Sequence, residues 1–184
     1  MRSLRYNVAV SLDGYIAPHD GSTDWITPDP SIDFDALWAE FDTFIMGRKS
    51  YEDIKGTEVE ERLLRHPASN VLIVSKTLIP EENPGVTIVS GDFLFAIRRQ
   101  KEKEGSDLWL FGGGELFGAC LDAGLVDTAE VAIMPTLLRG GVKLSTETGD
   151  GGSRAGQKLE LQRVEKLEGS GILMCVYQVV YPAS

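Results

Sequence analysis

Cysteine, histidine and clustered metal ligands are scarce in this 184-residue chain. The two cysteines, Cys120 and Cys175, each fall inside an apolar run, which is typical of inert thiols in a protein core. With only His19 and His66 beside them, they cannot build a zinc site of the H-x-E and P-C-x-x-C type. The sequence therefore predicts no metal site, and unpaired cysteines suit a reducing compartment.

Positive charge and long apolar segments are also in short supply. Lys and Arg number 18 against 28 Asp and Glu, for a formal net charge of −10, which disfavours binding to a phosphodiester backbone. No apolar run approaches the roughly 20 residues of a membrane-spanning helix. The N-terminal segment meets Ser11, Asp13 and Gly14 before the core of a signal peptide could form. We therefore expect a cytoplasmic protein with neither a nucleic-acid nor a membrane partner.

What is present is an ordinary globular composition, with 42% hydrophobic and 25% charged residues, and a length that favours one domain over residues 1–184. Short apolar runs typical of buried strands alternate with amphipathic segments typical of helices. The predicted strands cover residues 4–11, 43–46, 71–74, 86–89, 108–111 and 128–138. The last segment predicts two long strands around Gly169 and Gly171. The pattern indicates an α/β fold with a mostly parallel sheet and a C-terminal antiparallel hairpin.

Two segments between these elements are predicted as loops. Residues 17–30 are too rich in Pro, Gly, Asp and Thr for regular structure, and so long a loop is usually functional. Residues 139–157 are similarly rich in glycine and charge. Between the loops, residues 31–42 predict a helix with an apolar stripe of Phe34, Leu37, Trp38 and Phe41.

A run of three glycines, Gly112, Gly113 and Gly114, follows one predicted strand and precedes a helix. Glycines allow close approach of the backbone to a ligand, and a helix N-terminus offers unpaired N–H groups to a pyrophosphate. The alternative is a tight turn that needs a positive φ, which one glycine would satisfy. The run lacks the last glycine of the G-x-G-x-x-G pattern, because Phe117 stands there.

Basic and hydroxyl side chains follow two more predicted strands. Gly47 is followed by Arg48, Lys49 and Ser50, and the strand 71–74 is followed by Ser75 and Lys76. Ligands of open α/β sheets collect at the carboxyl ends of the strands, where these cations would face a phosphate. Two cationic strand ends and a glycine-rich turn match one pyrophosphate and one separate phosphate, the layout of NADPH rather than NADH. Solvated surface charge is the alternative for each.

In this order, MGRKSYE (46–52), VLIVSKT (71–77) and LWLFGGGELF (108–117) resemble segments of dihydrofolate reductase that bind NADPH. The segments SLDGYIA (11–17), DWIT (24–27) and MPTLLRGG (134–141) are more similar to the reductase domain of riboflavin biosynthesis, which shares that fold. The likeness covers roughly residues 4–180. It implies a three-layer, dihydrofolate reductase-like α/β fold, with a mixed sheet of about eight strands and helices on both faces, and it suggests a homodimer.

The resemblance implies roles for thirteen residues in binding NADPH. The segment around Arg48 would hold the adenosine phosphates, the segment around Lys76 the 2′-phosphate, and the glycine run the pyrophosphate and the nicotinamide side. Ala17 would lie in the loop that closes over the nicotinamide. The full set is Ala17, Gly47, Arg48, Lys49, Ser50, Ser75, Lys76, Phe111, Gly112, Gly113, Gly114, Glu115 and Leu116.

Substrate and proton donor are less constrained by the sequence. Riboflavin reductases usually carry Lys or Arg after SLDG, where this chain has Tyr15, and strict spacing puts Ser31 at the acidic position of folate reductases. Asp13 and Asp33 are the candidate catalytic acids, although Asp-Gly also forms turns and an acidic residue is common at a helix start.

Three further residues are candidates for binding substrate. Asp24 and Trp25 could bind a flat ring or could attach their loop to the core. Tyr51 could donate a hydrogen bond or pack beneath its helix. Glu130 is predicted to be solvated at a strand edge.

Taken together, these features predict an NADPH-dependent oxidoreductase that transfers hydride to a C=N or C=O bond of a flat heterocycle. The protein would resemble the 5-amino-6-(5-phosphoribosylamino)uracil reductase of riboflavin biosynthesis. Two alternatives stay open at this point: a dihydrofolate (pteridine) reductase, and a non-catalytic NADP-binding protein.

Overall fold

The structure of the protein, a computed structural model, describes residues 1–146 and 156–182. The strands are β1 (Leu4–Ser11), β2 (Tyr15–Ala17), β3 (Phe41–Gly47), β4 (Val71–Val74), β5 (Thr87–Val89), β6 (Asp107–Gly112), β7 (Thr128–Met134), β8 (Val142–Lys143), β9 (Lys158–Lys166) and β10 (Leu173–Val180). The helices are α1 (Phe34–Ala39), α2 (Arg48–Ile54), α3 (Glu58–Leu63), α4 (Phe93–Lys101) and α5 (Gly114–Asp122). Of the predicted loop over 139–157, residues 147–155 lie outside the described part of the chain.

Eight strands form one sheet in the order β5-β4-β3-β6-β1-β7-β10-β9. All neighbours pair in parallel except that β10 runs antiparallel to both β7 and β9. Strands β2 and β8 form a separate two-stranded antiparallel sheet. The structure confirms the mixed, mostly parallel sheet and the C-terminal hairpin.

Successive strand residues bury against helices on opposite faces of the sheet. On one face Ile45 and Leu110 pack with α4 and α5, where the ring of Phe117 stacks on Tyr6 with centroids 3.8 Å apart. On the other face Phe44 and Met46 pack with residues of α1, α2 and α3. Each fully buried large apolar side chain contributes roughly 1.5–3 kcal/mol, so the two layers hold the strand ends in place.

The predicted helix over residues 31–42 is too long, and the first and last residues of its apolar stripe, Phe34 and Phe41, do not pack as predicted. Helix α1 stops at Ala39, and the chain passes directly into β3, so Phe41 is buried as a strand residue. Phe34 is 55% exposed and borders the cleft described below. Periodicity marks an apolar helix face but does not distinguish a face that packs on the core from one that faces a ligand cleft.

Glu130 is not an edge residue, because β7 lies inside the sheet between β1 and β10. It pairs in register with Asn7 of β1. Its carboxylate accepts hydrogen bonds from Arg5 Nε and Nη2 at 2.5 and 2.9 Å. The prediction of a solvated Glu130 is therefore wrong, and the residue forms part of a paired ionic cluster beneath the cleft.

Three further observations concern the described residues. No helix among them is long and apolar enough to cross a membrane. No group of His, Cys, Asp and Glu in these parts of the chain is arranged to hold a metal ion. Cys120 and Cys175 are free and buried, as predicted for core thiols, and burial raises the pKa of Cys120 to about 12.

Candidate active site

Three neighbouring strands end at the same level of the sheet. In the ladder of β3 and β4, Gly47 pairs with Val74, and in that of β3 and β6, Met46 pairs with Gly112. The chain therefore leaves β3, β4 and β6 side by side, and the segments that begin at Arg48, Ser75 and Gly113 emerge at one edge of the sheet.

These segments line one open cleft of about 3340 Å³, well above the roughly 300–1,000 Å³ typical of a single small-molecule pocket. All thirteen residues predicted to bind the cofactor border it. They come from the 17–21 segment, from the ends of β3, β4 and β6, and from the first turns of α2 and α5. A cleft of this volume has room for a dinucleotide and a second molecule beside it.

The structural constraints on a side chain differ among Gly112, Gly113 and Gly114. Gly112 has a φ of +155°, and the Cβ of a larger residue there would lie 3.3 Å from Ser50 Oγ. The peptide bond between Gly112 and Gly113 is cis. A Cβ on Gly114 would lie only 2.2 Å from the carbonyl oxygen of Lys143. Close packing of the chain thus accounts for Gly114, while Gly112 and Gly113 border the cleft next to the Ser50 hydroxyl.

The backbone of residues 143–146 packs against two glycines of α5, Gly114 and Gly118. A Cβ on Gly118 would lie 2.1 Å from the carbonyl oxygen of Thr146. Thr146 N donates to the carbonyl of Gly114 at 3.3 Å. This close approach brings Lys143 to the border of the cleft beside the start of α5, a cation that the sequence reasoning did not single out.

The basic residues at the strand ends are accessible. Arg48, Lys49 and Lys76 are exposed, and Arg48 Nη1 lies 3.2 Å from Glu52 Oε1 in an exposed ion pair. Ser75 is buried, and its hydroxyl accepts hydrogen bonds from the backbone N–H groups of Thr77 and Leu78 at 3.1 and 3.0 Å. Ser75 thereby shapes the turn that presents Lys76 to the cleft.

Asp13 lies outside the described lining of the cleft and fastens two loops together. Its carboxylate accepts hydrogen bonds from Ser11 Oγ at 2.6 Å and from the N–H groups of Leu138 and Arg139 at 3.1 and 2.7 Å. These hydrogen bonds lower the pKa of Asp13, and the bond from Ser11 has the largest effect. A carboxyl group stabilised as the anion is a weak proton donor at neutral pH.

The other four predicted residues also lie off the described lining of the cleft. Asp33 is the N-cap of α1, with Oδ1 accepting from Ala36 N at 2.9 Å. Tyr51 is 4% exposed inside the core, where burial raises its pKa. Trp25 packs into a small apolar cluster, and Asp24 is exposed. The structure therefore brings the residues predicted to bind the cofactor to one cleft, whereas the predicted acids and substrate contacts lie off its described lining.

Asp29 borders the cleft and was not singled out from the sequence. It is 7% exposed, and its carboxylate accepts hydrogen bonds from Ser31 N and Oγ at 2.9 and 2.5 Å and from Ser170 Oγ at 2.6 Å. These bonds, led by that from Ser170, lower the pKa of Asp29 to about 2. Asp29 thus ties the 17–32 loop to the turn between β9 and β10. Asp followed by Pro and Ser is a turn signature that could have indicated the local part of this arrangement.

Aromatic rings form one wall of the cleft. Trp38, Trp109 and Phe111 all border it, with centroids 5.1 Å apart for Trp38 and Trp109 and 5.1 Å apart for Trp109 and Phe111. The indole N–H of Trp109 donates to the carbonyl of Asn7 at 3.1 Å, which fixes its ring against β1. The rings are tilted against one another by 41° to 58°, so they form an uneven apolar wall against which one face of a planar ligand can pack.

The family model of the RibD C-terminal domain matches residues 2–173. The chain belongs to this family. Its sequence is 28% identical over 186 residues to the uncharacterized protein YyaP of Bacillus subtilis, covering 96% of this chain and 94% of YyaP. It is 27% identical over 143 residues to YwjB of the same organism, covering 76% and 80%.

Among solved structures, a candidate riboflavin biosynthesis protein from Shewanella sp. PV-4 matches with a TM-score of 0.75 and 25% identity, over 98% of this chain and 100% of that one. The deaminase and 5-amino-6-(5-phosphoribosylamino)uracil reductase of Thermotoga maritima matches with a TM-score of 0.68 and 17% identity. That match covers 97% of this chain and 57% of the Thermotoga protein. Dihydrofolate reductase from Enterococcus faecalis, complexed with NADP(H), matches with a TM-score of 0.64, 13% identity and 96% coverage of both chains. The dihydrofolate reductase-like fold is confirmed.

Membership of the RibD C-terminal domain family relates the cleft to a known fold. The fold is that of riboflavin-pathway reductases, and the predicted cofactor segments of this chain occupy the carboxyl edge of its sheet. In open α/β sheets this edge is where ligands bind.

Proposed function

We propose that the protein is an NADPH-dependent reductase that transfers hydride to a C=N or C=O carbon of a flat heterocycle. The observation that carries the proposal is the convergence of the strand-end cations and the glycine run on one cleft. The riboflavin-pathway reductase-like fold of the family supports the assignment to the oxidoreductases.

The residues present fit NADPH. Arg48 and Lys76 leave adjacent strands as exposed cations, suited to the charge of the 2′-phosphate and the other phosphates. The N–H groups at the start of the nine-residue helix α5, beside Gly113, suit the pyrophosphate. A Cβ on Gly47 would meet no atom within 4 Å, so there is open space beside that backbone. When bound, NADPH would supply the hydride from its nicotinamide ring.

The chain itself would position the substrate and limit the access of water. The aromatic wall of Trp38, Trp109 and Phe111 would provide apolar contacts for a planar ring, and orientation of the reacting partners is a large part of catalysis in such reactions. The 17–21 segment lies opposite α2, with a Cβ on Gly21 reaching 3.9 Å from the Asp53 carboxylate. This segment would cover the cleft and reduce its hydration.

The proton that accompanies the hydride needs a source. Asp13 and Asp33 were the sequence candidates, but Asp13 ties loops together and Asp33 caps a helix. Asp29, which does border the cleft, has a pKa of about 2 and is ionised at neutral pH. Other titratable side chains in the described lining, among them His19, Glu52 and Glu115, and water in the cleft are the remaining candidates for the donor.

The two alternatives differ in what they predict for turnover. A dihydrofolate or pteridine reductase would use the same cofactor half with a bicyclic ring against the aromatic wall. A non-catalytic NADP-binding protein would bind NADPH without turnover on any such ring.

A homodimer and a cytoplasmic location belong to the same proposal. Leu159, Leu161 and Val164 of strand β9, at the edge of the sheet, are 41%, 53% and 53% exposed. An apolar stripe of this kind on an edge strand suits pairing with a second copy of the chain. The two free, buried cysteines suit a reducing compartment.

The direct test is a thermal-shift titration with NADPH, followed by an assay of NADPH oxidation with pteridine and pyrimidine substrates. Ligand at about 100 times Kd should stabilise the protein by about 2.7 kcal/mol, which for a chain of this length is a rise of roughly 5–10 °C in Tm. A shift without turnover on any ring would support the non-catalytic alternative. No shift at saturating NADPH would contradict both.

A further inference from the structure

The cations of the cleft are unevenly distributed between its two halves. The cations that border it in the described chain are Arg48, Lys49, Lys76, Lys143 and Lys158. The first four lie at the strand ends and beside the start of α5. Lys158 lies opposite Val180, at the other end of β10 from Met174. We use the term substrate half for the cleft surface formed by β1, α1, β7, β10 and residues 26–32.

The substrate half carries no cation among its described lining residues. Its surface includes Asn7, Ala9, Phe34, Trp38, Met134 and Met174. Its one ionisable described residue is Asp29, which hydrogen bonds from Ser170 and Ser31 hold in the ionised form. A phosphate group placed here would lose its hydration, meet a carboxylate and find no counter-charge in this wall, an arrangement that disfavours binding.

Two arginines near the substrate half, Arg5 and Arg62, are already paired with carboxylates. Arg5 Nη1 is 2.6 Å from Glu40 Oε2 and 3.4 Å from Asp107 Oδ2, in addition to its bonds to Glu130. Arg62 Nη1 is 2.8 Å from Asp35 Oδ1, and its guanidinium lies over the Trp38 ring at 4.8 Å. Neither arginine borders the cleft in the described chain, so neither is placed to hold a ligand phosphate.

Asn7 is a fixed hydrogen-bond acceptor in this half. Its Nδ2 donates to Glu130 Oε2 at 3.0 Å across the β1–β7 ladder. An ionised carboxylate only accepts hydrogen bonds, so this contact determines which end of the amide is nitrogen. Glu130 is itself held by Arg5 and by Thr128 Oγ1 at 3.2 Å. The Oδ1 atom of Asn7 has no partner in the part of the chain described, and Asn7 borders the cleft.

The level of Asn7 in the sheet puts it next to the aromatic wall. Tyr6 pairs with Leu110, and one residue further along both strands stand Asn7 and Phe111. A planar ring that packs on Phe111 would therefore lie beside Asn7 of the neighbouring strand. An acceptor at this position selects an edge that carries an N–H group.

We propose that the substrate half binds an unphosphorylated planar heterocycle, and that Asn7 Oδ1 accepts a hydrogen bond from an N–H group on its edge. This inference rests on the proposed function and narrows its substrate class. It separates this chain from the phosphoribosyl substrate named for the Thermotoga reductase.

The test compares ligands that differ only in the phosphate. Protein saturated with NADP⁺ is titrated in a calorimeter with 5-amino-6-(5-phosphoribosylamino)uracil, with its dephosphorylated counterpart, and with 7,8-dihydropterin. We expect at least about tenfold tighter binding of one or both unphosphorylated rings than of the phosphorylated one. Equal or tighter binding of the phosphorylated compound, or no binding of any of the three, would overturn the proposal.

The role of Asn7 is tested by Asn7→Leu, with Asn70→Leu as the matched control. Asn70 also donates one hydrogen bond, to the carbonyl of Asp42 at 3.0 Å, but does not border the cleft. Asn7→Leu should weaken binding of the unphosphorylated ring about tenfold, while Asn70→Leu should leave it within about twofold. Equal effects of the two substitutions would show that Asn7 does not contact the ring.

NADPH affinity, measured separately, keeps the two proposals distinguishable. If NADPH binds and the ring selectivity is absent, the inference about the substrate half fails while the cofactor assignment stands. If NADPH itself fails to bind, the proposed function fails first. Should Asn7→Leu not fold, the ligand comparison on the unmodified protein still tests the preference for an unphosphorylated ring.

Discussion

Gly47 at the end of β3 lies in register with Val74 at the end of β4, so the residues that follow them leave the sheet side by side. Arg48 and Lys76 reach one cleft for this reason, although 27 positions separate them in the chain. The register of two buried strands thus sets the spacing of the two cations. Their positions depend on the core beneath them rather than on the loops that carry them.

Two glycine substitutions should separate folding from cofactor binding. A Cβ on Gly114 would lie 2.2 Å from the carbonyl oxygen of Lys143, so Gly114→Ala forces backbone to move and should destabilise the fold by roughly 1–3 kcal/mol. A Cβ on Gly47 meets nothing within 4 Å, so Gly47→Ala should fold normally and weaken NADPH binding about tenfold by filling ligand space. Thermal unfolding and NADPH titration of both variants check this. Normal stability of Gly114→Ala would contradict the packing described for the 143–146 segment.

The hydrogen bonds of Asp29 to Ser31 and Ser170 predict that the fold loses stability at acidic pH. The pKa of Asp29 is about 2 in the folded protein, below the ordinary value of 3.8, so its bonds to Ser31 and Ser170 stabilise the fold fully above about pH 4. That contribution should be lost as the pH falls from about 4 towards 2 and the carboxylate is protonated. Denaturant unfolding of the wild type and of Asp29→Asn should show a gap at neutral pH that narrows across this range. A gap independent of pH would show that the charge of Asp29 is not what the serines stabilise.

Asp33 allows its two possible roles to be separated. As the N-cap of α1 it should be replaceable by Asn, which caps equally well, whereas Asp33→Ala should cost about 1 kcal/mol of stability. We expect Asp33→Asn to keep both stability and turnover. Loss of turnover in Asp33→Asn at unchanged Tm would instead identify Asp33 as the proton donor that the sequence predicts.

The apolar stripe on β9 predicts the assembly state. Analytical ultracentrifugation should find a dimer that Leu161→Glu converts to a monomer, because a charge at the centre of the stripe would have to be buried. Arg163→Glu, on the opposite face of the same strand, is the control and should leave the dimer intact. A monomeric wild type, or a dimer unaffected by Leu161→Glu, would place the contact between copies elsewhere.

The meeting of the segments that begin at Arg48, Ser75 and Gly112 could be predicted from the sequence because each of them is a local pattern. An apolar run followed by glycine or basic residues marks the carboxyl end of a buried strand, and parallel strands bring such ends together. The substrate half was beyond this reasoning. Trp38 and Trp109 satisfy the pattern of core residues equally well, and the orientation of the Asn7 amide depends on Glu130, which lies far along the chain and one strand away.

The roles of the acidic residues were also not predictable from the sequence. Asp13 and Asp33 stand at the expected places for chemistry, yet both satisfy nearby backbone N–H groups. Asp29, which borders the cleft, is held by a serine from the β9–β10 turn that no local pattern connects to it. Short polar side chains at loop ends serve turns, caps and catalysis with the same residue types, and only the tertiary contacts distinguish these roles.

The most direct measurement of the account as a whole is the affinity for NADPH and NADH of the wild type and of the double variant Arg48→Ala and Lys76→Ala. Both side chains are exposed, so the variant should fold with little loss of stability. We expect the wild type to prefer NADPH by roughly 10–100-fold and the double variant to bind the two cofactors about equally, with its NADH affinity little changed. Arg99→Ala, a substitution in an exposed ion pair that does not border the cleft, should keep the preference. A preference for NADPH that survives the double substitution would contradict the assignment of the strand-end cations, and with it the central claim.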